Sequence, residues 1–118
     1  METYKTALKT LLNSNNNINP EELSYKSVFG AIAGYVQNKI FISSGKFGIA
    51  IKVTPETRNN LIEKYGAKPF KYFPKGHIKQ DYALLTNDIL SNNKLMKKII
   101  EDSILFVKEN SKERPSLL

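Results

Sequence analysis

Residues Tyr25 to Val53 read YKSVFGAIAGYVQNKIFISSGKFGIAIKV, and this stretch decides the fold. β-Branched and aromatic residues crowd between glycine and asparagine punctuation, a composition that suits extended chain better than helix. The spacing predicts strands at about 25–29, 31–37, 40–43 and 46–53, with turns at Gln37-Asn38-Lys39 and Ser44-Gly45-Lys46. In the last strand Phe47, Ile49, Ile51 and Val53 alternate with Gly48, Ala50 and Lys52, the pattern of a sheet with one buried face. Short successive turns imply an antiparallel meander. Gly30 and Gly34 fall inside apolar strand sequence, where glycine marks a bulge or a close approach of backbones. Structurally that means a sharply bent strand pair under a helix; functionally it means an open groove for a ligand or a partner strand.

The flanks change period. Tyr4, Ala7, Leu8, Leu11 and Leu12 recur at helical spacing and predict a helix over about 3–13, stopped by the polar run Asn13 to Asn17. Asn19-Pro20-Glu21-Glu22 reads as a cap with proline at the first helical position, enough for one extra turn. Beyond the strands, Thr54-Pro55-Glu56 starts a helix over about 55–65, with Leu61, Ile62 and Tyr65 inward and Gly66 as its left-handed stop. Pro69 to Phe73 and Ile78 to Tyr82 read as two more strands around the turn Pro74-Lys75-Gly76. Leu95, Met96, Ile99, Ile100, Ile104 and Val107 outline a closing helix over about 92–109, after a short helical turn at Asn87 to Leu90. The expected fold is α+β in two layers, an antiparallel sheet with helices mainly on one face, in the order α-β(3–4)-α-β2-α. One domain fills residues 1–110, and 111–118 are expected to fray.

A chain of 118 residues with 41% hydrophobic, 25% charged and 10% aromatic residues suits one globular core. The absence of cysteine excludes disulfides, thiolate nucleophiles and thiolate zinc sites. Met1-Glu2-Thr3-Tyr4-Lys5 has neither the basic nor the apolar region of a signal peptide, and no apolar run reaches the length of a membrane span, so the reading is cytoplasmic with no membrane partner. A net charge of +7 and a pI near 9.6 favour a polyanionic partner, although lysine-rich usage also follows genome composition.

Together with this element order, a set of short motifs resembles the N-terminal domain of the TfoX/Sxy competence regulators over about Tyr25 to Lys108. Val28-Phe29-Gly30-Ala31 stands where that family has Met-Phe-Gly-Gly, keeping the aromatic and the first glycine. Tyr35, Lys39 and Phe41 resemble its next strand, turn and aromatic, and Ile51-Lys52 and Thr57-Arg58 its strand end and helix start. Pro69-Phe70-Lys71-Tyr72, Lys75-Gly76 and Tyr82 resemble its later strands and turn. The resemblance implies a mainly structural role for Phe29, Gly30, Tyr35, Lys39, Phe41, Lys52, Arg58, Phe70, Gly76 and Tyr82, and a link to transcription regulation. Two-domain members act with the cyclic AMP receptor protein at competence promoters; this chain resembles a stand-alone N-terminal module.

Chemistry-bearing candidates are few. His77, the only histidine, has Asp81 nearby but no further ligands or orienting acid in sequence, and reads as a turn histidine. Ser44-Gly45-Lys46-Phe47-Gly48 lacks the upstream glycine and the following Ser/Thr and helix of a phosphate loop, and reads as a hairpin. In 64–79, Lys64, Lys68, Lys71, Lys75 and Lys79 interleave with Tyr65, Phe70, Tyr72 and Phe73, with no acid between Glu63 and Asp81. Such a mix suits phosphate neutralisation and base stacking; the alternative is core aromatics with solvated lysines. On the closing helix, Lys97 with Glu101 and Lys98 with Asp102 read as solvated pairs. The leading expectation is a non-enzymatic regulatory module without cofactor that binds a protein of the transcription machinery. A nucleic-acid binder using Lys64, Lys68, Lys71, Tyr72, Lys75 and Lys79 is the alternative, and a small enzyme the remote one. Exposed strand edges and a small core favour a homodimer.

Overall fold

The computed structural model describes residues 2–14, 18–71 and 75–116, with side chains described from Thr3 to Glu109 within them. The order is α1 (Glu2–Asn13), a 3₁₀ turn (Pro20–Glu22), β1 (Leu23–Val28), β2 (Ala31–Val36), β3 (Lys39–Gly45), β4 (Gly48–Lys52), α2 (Pro55–Tyr65), β5 (Lys68–Phe70), β6 (Lys79–Leu85), α3 (Asn87–Leu90) and α4 (Asn93–Ser116). The six strands form one antiparallel sheet in the order β1-β2-β3-β4-β6-β5. The first four make the expected meander. The last two enter out of sequence: β6 pairs with β4, which leaves the three-residue β5 on the edge.

Capping chemistry sets the helix ends. The Asn19 carboxamide oxygen accepts from the Glu21 N–H at 3.0 Å and opens the 3₁₀ turn. The Thr54 hydroxyl accepts from the Thr57 N–H at 3.2 Å, Pro55 follows at the first position, and Gly66 closes α2 at φ +80°. α4 runs from Asn93 through Ser116. Among the described residues no helix is long and apolar enough to cross a membrane.

The main core lies between one face of the sheet and the helices. Leu8 and Leu12 of α1, Leu61 of α2 and Met96, Ile99 and Ile100 of α4 meet Ile42, Ile51 and Ala83 of the strands. Burying a leucine or isoleucine fully contributes roughly 1.5–3 kcal/mol, so this contact holds the two layers together. The Ser103 hydroxyl donates to the Phe41 carbonyl at 3.4 Å and ties α4 to β3.

Three expectations need correction. The sheet is not bare on its other face: Ala50, Phe70 and Tyr82 are buried there with Phe47 and Leu84. Phe47 belongs to that cluster, its ring 4.7 Å from that of Phe70, and not to the face of Ile49 and Ile51. The cause is the turn, which lies at Lys46-Phe47 between paired Gly45 and Gly48 and not at Ser44-Gly45-Lys46, so Phe47 stands outside the alternation of β4. Gly30 is no bulge, since it is the second residue of a two-residue turn. Gly34 is instead a close approach, beside the bulge that Phe41 makes on β3, where the register between β2 and β3 shifts; a Cβ on Gly34 would lie 2.7 Å from Ile42 Cγ2 and 3.5 Å from Leu8. Tyr72, Phe73 and Pro74, read from sequence as strand and turn, lie outside the described residues, as do Asn15 to Asn17.

Candidate functional site

The β1–β2 turn is built against the preference of its first residue. Phe29 at φ +50° and Gly30 at φ +79° are both left-handed, as a two-residue hairpin turn matched to strand twist requires. Asn, Asp or Gly normally fills that first position, because a side chain with a bulky Cβ substituent is crowded there at a cost of about 1–2 kcal/mol. Phe29 is also 76% exposed, so burial does not repay the strain in full. The β2–β3 turn, Gln37-Asn38 at φ +49° and +65°, uses the same geometry with polar residues. An exposed aromatic is thus held in a strained backbone.

Most of the remaining motif positions make contacts within the domain. Phe41 and Phe70 are buried, and Tyr82 lies beside Phe70 at 5.7 Å between ring centres. Lys52 pairs with Asp81 at 3.4 Å. Arg58 donates from Nε to the Tyr82 carbonyl at 2.9 Å and anchors α2 on β6. Tyr35 lies under the Lys26 ammonium, 5.2 Å from its ring centre. Lys39 opens β3 opposite Val36, and Gly76 sits in the connection before β6.

Sequence reasoning missed the partner of Asp102. Its carboxylate accepts from the Thr54 N–H at 3.1 Å, the Thr54 hydroxyl at 3.3 Å and the Thr57 hydroxyl at 2.9 Å. This fastens the start of α2 to α4 and replaces the solvated pair read with Lys98; among the described residues no ion pair joins the two. Beside it an open groove of about 510 Å³ runs between α2 and α4, lined in part by Asn60, Tyr65, Leu95 and Lys98.

The basic segment is divided by the fold. Lys64 lies in the last turn of α2, on a surface shared with Glu56 and Glu63. Lys68 is exposed on β5, Lys79 opens β6 opposite Phe70, and Lys71 and Lys75 lie exposed in the connection between them. Four of the six candidates therefore gather on one hairpin, Lys64 stands apart with acids beside it, and Tyr72 is outside the described residues. His77 is exposed, and no group of three or more His, Asp or Glu able to hold a metal occurs among the described residues.

No curated protein and no solved structure matched the chain. The model of the family described as the TfoX N-terminal domain matches residues 19–107, from the cap of the 3₁₀ turn to the middle of α4. With the motif residues in the places described above, the chain belongs to the family of TfoX N-terminal domains.

Proposed function

We propose that this chain is a regulatory module of the competence-regulator type, which acts by binding a protein of the transcription machinery and catalyses no reaction. Membership of the TfoX N-terminal family supports the regulatory part. The carrying observation is Phe29, 76% exposed at φ +50° in the place of the family's own motif. Two structural costs are concentrated in one aromatic at the outermost turn of the sheet, and aromatic anchors of this kind dominate protein interfaces.

Calorimetric titration of the full chain against the cyclic AMP receptor protein, alone and on promoter duplex, tests the reading. Binding by the parent chain and a loss of at least about thirtyfold in Phe29→Ser, the size of an interface hot spot, are expected. No binding by the parent chain, or equal affinity of the variant, overturns it.

A further inference from the structure

The net charge of this chain is carried by one layer of the fold. Residues 23–54 and 66–85, which hold all six strands with their hairpin turns and the β5–β6 connection, contain eight lysines and one acid, Asp81. The rest of the chain, including every helix, holds ten basic and ten acidic residues. The sheet layer therefore carries the whole formal charge of +7, and the helical layer is neutral.

Strand register shows where this charge points. Lys26 lies opposite Ala33, Ala33 opposite Ser43, Ser43 opposite Ala50, Ala50 opposite Leu84, and Leu84 opposite Lys68. One row thus crosses all six strands, with an exposed lysine on each edge strand and buried Ala33, Ser43 and Ala50 and half-buried Leu84 between. Ala50 and Leu84 belong to the smaller apolar cluster, which contains no helical residue, so the row lies on the face turned away from the helices. Five inter-strand steps of about 4.8 Å separate the two lysines by about 24 Å. Lys52 shares this face opposite Tyr82, with Asp81 as its partner. Lys46 on the β3–β4 turn and Lys71 and Lys75 beyond β5 extend the positive field. Tyr35, two residues along from Ala33, and Phe47, in the smaller cluster, add half-buried rings.

We infer that this face binds single-stranded nucleic acid laid across the strands, with the lysines neutralising phosphates and Tyr35 and Phe47 receiving bases. A charge excess of one sign on one face is the electrostatic footprint of a polyanion partner. Duplex readers place a helix or ribbon in a groove, and among the described residues no helical side chain joins the cluster on this face. Aromatic side chains on a sheet instead suit unstacked bases, because every base has a ring face to offer. The surface does not include Phe29 and does not depend on the protein-partner reading.

Fluorescence anisotropy of a labelled oligothymidine of about a dozen nucleotides, titrated with the full chain from about 20 to 200 mM salt, tests it. The logarithm of affinity falls against the logarithm of salt with a slope of about −3 to −4, as expected for roughly five phosphates. Lys26→Glu/Lys68→Glu weakens binding at least about tenfold, and Lys26→Gln/Lys68→Gln weakens it less. Lys94→Glu/Lys97→Glu on α4, an equal change in net charge, stays within about twofold of the parent. Circular dichroism verifies that each variant folds. No binding at the lowest salt, equal loss from both charge-reversed pairs, or equal affinity for duplex DNA or polyglutamate overturns the inference.

Discussion

Replacing Phe29 by asparagine separates a functional aromatic from a structural one. A phenylalanine can bury about 150–250 Å², and Phe29 is 76% exposed. About 50 Å² is therefore lost in Phe29→Asn, worth about 1.2 kcal/mol at 25 cal/mol per Å². Against this, asparagine tolerates the left-handed region that φ +50° imposes, and relief of strain returns about 1–2 kcal/mol. The two effects nearly cancel, so the variant is expected within about 1 kcal/mol of the parent, or about 4 °C in Tm for a chain of this size. Urea unfolding followed by circular dichroism measures it, with an unchanged slope against denaturant as the check that both states are preserved. Phe41→Ala is the contrast: that ring is fully buried, and its loss costs about 3–5 kcal/mol. A loss above about 2 kcal/mol in Phe29→Asn would refute the reasoning, because it would make Phe29 a core residue.

Other perturbations probe the scaffold. Asp102→Ala removes the acceptor shared by Thr54 and Thr57 and is expected to cost about 2 kcal/mol, partial exposure keeping it at the lower end for charged hydrogen bonds. In a double-mutant cycle with Thr57→Val the coupling should be about 1 kcal/mol, and additive losses would mean that the hydrogen bond contributes nothing. Gly34→Ala places a methyl 2.7 Å from the branched Ile42 Cγ2 and should destabilise by about 1–3 kcal/mol, seen as a lower denaturant midpoint. Burial raises the Tyr25 pKa above its ordinary 10.0 by disfavouring the phenolate, with Lys9 5.6 Å from the ring centre. The native state therefore holds its proton longer than the unfolded chain, so this stability is complete below the unfolded pKa and is lost as pH rises through the folded one. Urea midpoints should fall on the alkaline side of the ordinary value, and less steeply in Tyr25→Phe.

What was legible in the sequence was local. Asn19-Pro20, Thr54-Pro55 and Gly66 act through backbone geometry and hydrogen bonds to near neighbours, and each ends or starts an element where expected. Alternation in Ile49 to Val53 likewise identified a strand whose apolar side meets the helices. What was not legible depended on distant partners or on an uncharacteristic residue. Phe29 disguised a turn, because phenylalanine signals strand and only the backbone shows it left-handed. Asp102 lies 48 positions from Thr54, too far for any spacing rule to pair them. Insertion of β6 between β4 and β5 is a choice of sheet topology that alternation within a strand leaves open. The segment 64–79 was a reasonable basic candidate by composition, yet the end of α2 divides it and leaves Lys64 among acids. The charge asymmetry belongs to the two layers, whose residues alternate along the chain, so total composition hides it.

The proposed function has this TfoX N-terminal domain engage a partner through the β1–β2 turn. Nuclear magnetic resonance of the isotope-labelled full chain, titrated with the cyclic AMP receptor protein, tests it most directly. Shifts centred on Val28, Phe29, Gly30 and Ala31 are expected, with the helical layer unmoved. Shifts confined to α2 and α4, or none at saturating partner, would contradict it.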